Sequence, residues 1–334
     1  MVISRTPFRI SFFGGGTDYP SWYQENGGAV ISTTIDKYCY ISLRYLPPFF
    51  KHKHRIVYSY IENVSNIREI KHPVVRESLR LFKINKGVEI HHDGDLPARS
   101  GIGSSSAFTA GMLNALYALN GKMISKNDLA KRSIHLERNI LKENVGSQDQ
   151  VAVAYGGLNK IIFQNDHSFI VKPVTLQKDR IKKLEDCLIL IFTGVSRNAS
   201  DIAAAQIKNT PKRKKELMVM QEMVNYAVDI LNSNRNMVEF GKLLNESWLL
   251  KRKLSHKISN LIIDSIYSKA LKAGAVGGKV LGAGGGGFML LFVPPEKRKN
   301  LKKCLYKFIE VKFSFENNGS QIIYYNPQDA RIDG

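Results

Sequence analysis

An α+β protein of two domains is what this sequence predicts, and three observations carry that reading. The chain has 334 residues, about two domains at the usual ~150 residues each. Its first half is rich in short β-like runs, whereas the second is mostly helical with a few strands. Between them the charged stretch 178–186 marks a soft boundary near residue 185, giving domains 1–185 and 186–334. Hydrophobic residues make up 43% of the chain, enough for a sizeable core and too many for a disordered or collagen-like one.

Residues 9–13 form a β-rich run that stops at Gly14-Gly15-Gly16. Residues 37–45 (KYCYISLRY) alternate and are aromatic or β-branched, so they read as a strand, as does 88–91. Over 104–119 the apolar residues, among them Phe108, Met112, Leu113 and Leu116, lie nearly all round a helical wheel. That is the pattern of a buried helix. A second helix with a polar stripe spans 128–142, and 158–163 and 169–174 read as paired strands. After a strand over 188–193 come helices at about 198–208, 212–233, 236–254 and 260–273. The chain closes with a Gly-rich segment, a strand over 288–293, a helix near 296–309 and a strand over 321–325.

Lys and Arg number 49 against 29 Asp and Glu, a net charge of +20. The basic residues cluster at 51–55, 178–183, 208–215, 251–257 and 297–303. Such an excess suits nucleic acid, an acidic surface or a phosphorylated small molecule. No RNP pattern, zinc finger or basic region with heptads accompanies it, so nucleic acid is not an expected partner. Solvated surface is the plain reading of most of this charge. Cys39, Cys187 and Cys304 are far apart and form no C-x-x-C, which points to a reducing compartment. Arg5, Pro7 and Arg9 interrupt any secretory pattern at the N-terminus, and the longest apolar runs are six residues. A cytoplasmic protein without membrane insertion is therefore expected.

Three glycine clusters carry the chemistry. Glycine allows positive φ and brings backbone N–H groups close to a ligand, so each cluster is a candidate phosphate cradle as well as an ordinary turn. The first, Arg9-Ile10-Ser11-Phe12-Phe13-Gly14-Gly15-Gly16-Thr17-Asp18, puts a guanidinium before the turn and a hydroxyl and a carboxylate after it. Thr17 and Asp18 suit sugar hydroxyls, and Arg9 suits a carboxylate or phosphate. In the second, Arg99-Ser100-Gly101-Ile102-Gly103-Ser104-Ser105-Ser106, a Gly/Ser loop runs into the predicted buried helix. The free N–H groups of that helix start favour an anion, and its serines suit phosphate or Mg²⁺. No Lys follows Gly103, which excludes a Walker A loop. The third, residues 282–287, formally contains G-x-G-x-x-G but runs into a strand ended by two prolines, which excludes a Rossmann turn. The run 91–95 (HHDGD) looks metal-like but lacks a partner set.

In this order and at these distances the clusters resemble the three motifs of the GHMP kinases, over essentially the whole chain. TPFRISFFGGGTDYP at 6–20, LPARSGIGSSSAF at 96–108 and GKVLGAGGGGF at 278–288 are the matching segments. The GGGTD form, with TGVSRNAS at 193–200, is most similar to the D-glycero-D-manno-heptose 7-phosphate 1-kinase branch, and also to the fucokinases. The resemblance implies a two-domain GHMP kinase fold: an N-terminal mixed α/β ATP-binding domain, a C-terminal ferredoxin-like domain with extra helices, and an active site in the cleft between them. It implies ATP and Mg²⁺ as cofactors and an anomeric sugar phosphate as product, on the route to GDP-heptose for surface polysaccharide. Another sugar such as L-fucose, or a non-catalytic sensor on the same fold, is the alternative. A sugar phosphate is the expected partner, and a homodimer is left open.

Residue by residue, the resemblance makes Asp149 the catalytic carboxylate and Arg9 the basic group beside it. Residues Arg99, Ser100, Gly101, Ile102, Gly103, Ser104, Ser105 and Ser106 become the ATP loop, and Ser105 and Glu137 the Mg²⁺ ligands. Gly15, Gly16, Thr17, Asp18, Gly284 and Gly285 fall to the sugar side. Arg197, after the strand 188–193, is the expected receptor for the sugar's own phosphate, with Lys251 and Arg252 next in line.

Overall fold

The computed structural model describes residues 1–195 and 199–326. Arg197 lies outside the described residues. The first half runs β1 (Val2–Phe13), α1 (Pro20–Asn26), β2 (Gly28–Tyr45), β3 (His54–Val57), β4 (Ile61–Val64), α2 (Pro73–Leu81), β5 (Val88–Gly94) and α3 (Ser104–Leu119). It continues with α4 (Lys126–Ile134), a π-helical segment (His135–Ile140), α5 (Gln148–Tyr155), β6 (Asn159–Phe163), β7 (Phe169–Pro173) and α6 (Lys178–Cys187). The second half has β8 (Leu188–Phe192), α7 (Ala199–Asn209), α8 (Lys214–Asn232), α9 (Val238–Leu254) and α10 (Leu261–Lys272). It ends with β9 (Gly277–Val280), β10 (Phe288–Phe292), α11 (Arg298–Cys304), β11 (Ile309–Val311), β12 (Phe315–Glu316) and β13 (Gln321–Tyr325).

Among the described residues these strands make two sheets. The larger has nine, in the order β13-β1-β2-β5-β3-β4, with β12 and the β6–β7 pair also on β2. The smaller has four antiparallel strands, ordered β11-β8-β10-β9. From Pro7 onward β1 is buried at every residue, because it is covered on both faces. On one side lies α3, whose all-round apolar surface is buried as its sequence pattern predicts. The Ser4 hydroxyl donates to the Gly111 carbonyl at 2.9 Å. A Cβ on Gly111 would stand 2.9 Å from the Thr6 hydroxyl, so glycine is what lets α3 sit so low on the strand. On the other side Phe12 and Phe13 meet Phe240 of α9 edge-on, with ring centroids 5.5 and 5.1 Å apart. The end of β1 is thus the seam between the halves.

Two expectations are corrected. The helix expected over 128–142 leaves α-geometry at His135, where the π-helical segment begins. The helix expected to reach 309 ends at Cys304, and Ile309 already pairs with Phe192 in the small sheet. The charged stretch at 178–186, which holds the soft boundary, is α6, anchored by buried Leu184 and Cys187. From beyond residue 185, β12 and β13 return to pair with β2 and β1, so the larger sheet draws on both ends of the chain.

Candidate active site

The three glycine clusters converge. Arg9, on β1, donates two parallel bonds to the Asp149 carboxylate, at 2.8 and 2.7 Å, and a third to the Gly101 carbonyl at 2.5 Å. Its backbone N–H also donates to the Ile102 carbonyl at 3.0 Å. Arg9 is buried, while the Asp149 side chain keeps 27% of its surface open. Such a fork fixes the carboxylate in plane as well as in place. Asp149 stands in the first turn of α5.

The second cluster is a loop ending in Gly103, whose left-handed backbone (φ 73°) starts α3 without a side-chain cap. The first N–H groups of that helix therefore remain available to an anion. Position 103 faces Arg9 and Asp149, since a Cβ there would lie 3.0 Å from Arg9 Cγ and 3.7 Å from Asp149 Oδ2. Within the loop, the Ser100 hydroxyl is spent on the Pro97 carbonyl at 2.6 Å, and Ile102 is core. Arg99 is exposed, its N–H bonded to the Ser104 hydroxyl at 3.1 Å.

Glu137 sits in the π-helical segment, fully buried behind α3. Its Oε2 accepts from the Ser106 hydroxyl at 3.1 Å and from the Gln150 amide, while Oε1 has no partner. Burial pushes its carboxyl up to about 7, against the pull of Thr109, Gln150 and Ser106. Ser106, not Ser105, touches Glu137; Ser105 is exposed on the first turn of α3. An unpartnered, buried carboxylate oxygen is a donor that a hard divalent cation fits. Among the described residues no group of three or more His, Cys, Asp or Glu side chains gathers as a metal cage, and His92 of the HHDGD run packs edge-on against Phe108.

On the sugar side the expectations divide. Asp18 is buried beside the site, accepting from the N–H of Gly16 at 2.9 Å and of Gln148 at 3.4 Å. Burial, with the nearby charge of Asp149, raises its carboxyl above the ordinary range. Thr17 is buried with its hydroxyl turned into the backbone: the single proton is shared between the Gly14 and Ala29 carbonyls and the oxygen accepts from the Ala29 N–H. Gly15 and Gly16 are buried with it, a Cβ on Gly16 meeting the Gln206 amide at 2.6 Å. Gly284 and Gly285 pack on the backbone of Ile258, with the Gly285 N–H donating to its carbonyl at 2.8 Å. At Gly284 small size serves that packing, since a Cβ there would stand 2.7 Å from the Ile258 carbonyl oxygen.

Sequence reasoning named Lys251 only as a reserve receptor for the sugar's phosphate and missed Lys279, and the two together form the floor of the site. Lys251 and Lys279 are both buried there, the first bonded to the Gly282 carbonyl and the second to the Phe12 carbonyl at 2.8 Å. Lys251 lies in a basic run that reads as solvated surface. Lys279 is the lone charge in GGKVLG, a signal that was present and not used. Arg252 is not at the site floor but pairs with Asp264 at 2.9 Å.

Residues 68–157 match the family described as GHMP kinases N terminal domain, and residues 226–310 the one described as GHMP kinases C terminal. A D-glycero-alpha-D-manno-heptose 7-phosphate kinase of Campylobacter jejuni is 30% identical over 95% of this chain and 97% of its own. The L-fucokinase/L-fucose-1-P guanylyltransferase of Bacteroides fragilis is 26% identical over 91% of this chain but only 36% of its own. A crystal structure of a D-glycero-D-manno-heptose 1-phosphate kinase from Bacteroides thetaiotaomicron superposes with a TM-score of 0.80 at 22% identity, covering 98% of this chain and 100% of that one.

Proposed function

This chain belongs to the GHMP kinase family, and from that premise we propose that it transfers the γ-phosphoryl group of ATP to the anomeric hydroxyl of D-glycero-D-manno-heptose 7-phosphate. The observation that carries the substrate is the near-full-length likeness to the Campylobacter heptose 7-phosphate kinase, against the partial match to the fucokinase. The observation that carries the reaction is the Arg9–Asp149 fork beside the start of α3.

In this reading the sugar hydroxyl oxygen attacks the γ-phosphorus, its proton passes to the open edge of Asp149, and ADP leaves. Arg9 holds Asp149 in the plane needed for that transfer. The free N–H groups at the start of α3 receive the nucleotide phosphates. Glu137 Oε1, with the exposed Ser105 hydroxyl, would hold Mg²⁺, and Ser106 would steady Glu137 from its other oxygen. When bound, the ion supplies charge neutralisation across the phosphates. Asp18 takes sugar hydroxyls. The protein works in the cytoplasm, where ATP is abundant; no helix among the described residues is long and apolar enough to cross a membrane.

A panel of sugars tests the substrate. Heptose 7-phosphate should exceed both unphosphorylated heptose and L-fucose in kcat/KM by roughly 10–150-fold, the worth of one charged hydrogen-bonding contact to the extra phosphate. Equal rates on fucose would overturn the assignment. Glu137→Gln should raise the Mg²⁺ concentration for half-maximal rate by about 10–100-fold, with the rate recovering as Mg²⁺ is added. Ser105→Ala should shift the same titration in the same direction. Unchanged Mg²⁺ curves for both would show that other groups hold the ion.

A further inference from the structure

Each glycine motif has one backbone carbonyl held by a buried cation. Arg9 holds Gly101 in the second, Lys251 holds Gly282 in the third, and Lys279 holds Phe12, two residues before Gly14, in the first. Arg9 is accounted for by Asp149. The two lysines are not. They come from α9 and β9 of the second half, and Lys279 crosses the seam to reach β1.

Both are costly to keep. Lys251 is 4% and Lys279 2% exposed, and among the described residues neither makes an ion pair. An ammonium has three donors, and one acceptor is in place for each. Burial pushes Lys251 down to about 8 and Lys279 well below its ordinary value. The charges facing Lys251 are Arg9, Asp18 and Asp149; those facing Lys279 are Lys251, Arg9 and Asp18. An apolar side chain of the same length would fill either space without that desolvation. A fold that needed packing alone has no use for two ammonium groups here.

We propose that Lys251 and Lys279 are positioning residues of the phosphoryl transfer, fixing the third and first glycine motifs around Asp18 and Asp149 and lending positive charge to the anionic reactants. The peptide group is trans, so drawing the Gly282 carbonyl toward Lys251 turns the Ala283 N–H to the opposite side. Ionised, the five groups comprise three cations and two carboxylates. That excess is uncomfortable in the empty protein and is relieved when phosphorylated reactants arrive. The proposal rests on the kinase reading but not on which sugar is used.

Lys251→Met and Lys279→Met test it, with kcat, both KM values and the melting temperature measured on whichever sugar the native enzyme phosphorylates. Each should lose about 10–100-fold in kcat, the scale of a misplaced or unneutralised transition state. Each should melt within a few degrees of the native temperature, because relief of a buried, unpaired charge is set against a carbonyl left without its donor. Lys251→Arg, which keeps the charge, should recover part of the lost kcat. Native kcat in both Met variants overturns the proposal. So does a loss accompanied by a clearly lower melting temperature, which would make the lysines structural. Failure of the substrate assignment shows separately, as a native enzyme inactive on heptose 7-phosphate.

Discussion

Asp149→Asn lowers turnover by about 10²–10⁴-fold, the range usual for removing a positioned acid–base group. The substitution nearly preserves shape, so the effect isolates charge and proton acceptance. In the native protein both carboxylate oxygens are engaged by Arg9, at 2.8 and 2.7 Å, and the side chain is still 27% open. An amide offers one acceptor to that fork and sets its NH₂ against the other donor. Arg9 keeps its bond to the Gly101 carbonyl and its backbone bond to Ile102, so the nucleotide loop stays in register. Calorimetry with ATP should therefore show affinity within a few-fold of native while kcat falls. Turnover within tenfold of native would remove Asp149 from the proton path. A loss of ATP affinity equal to the loss of kcat would mean that it acts by holding Arg9 and the loop.

Much of this site was legible beforehand, because glycine and charge leave marks that survive without coordinates. Arg9 pairs with Asp149, Glu137 lies buried with Ser106 of α3, and α3 is buried all round as its apolar pattern requires. What escaped depends on contacts between distant segments. Thr17 looks like a ligand-binding hydroxyl until Ala29 and Gly14 are seen to engage it. Lys251 stands in a basic run as a reserve candidate for the sugar's phosphate, and only the fold shows α9 turning it inward onto the Gly282 carbonyl. The segment α6 carries so many charges that one buried Leu184 was outvoted by its polar face. The strands β3 and β4 are four residues each, too short for an alternation to stand out.

The reading of the glycines themselves changes most, and Gly101→Ala tests the change. Glycine at the second motif was taken to let a phosphate approach the backbone. The structure gives it a second duty, since the loop is packed backbone to backbone against the third motif. A Cβ on Gly101 would lie 2.5 Å from the Leu281 carbonyl oxygen and 2.9 Å from its carbon, and one on Gly282 would lie 2.7 Å from Gly101 Cα. These neighbours are main chain and cannot swing aside as a side chain would. Position 101 also has φ +85°, where a Cβ adds strain of roughly 1–2 kcal/mol. The two loops must part, and that movement pulls on the Gly101 carbonyl held by Arg9 and on the Phe288 N–H bonded to Ser100 at 2.9 Å. A shift of about 1 Å at Arg9 carries Asp149 with it and costs on the order of 10²-fold in kcat/KM. Gly121→Ala is the matched control: its φ is +67°, yet a Cβ there meets nothing within 4 Å. Both variants should lose a few degrees of melting temperature, but only Gly101→Ala should lose the ~10²-fold in activity. If Gly101→Ala keeps native kcat/KM, the contact between the loops is not what places Arg9, and the phosphate cradle alone explains the glycine.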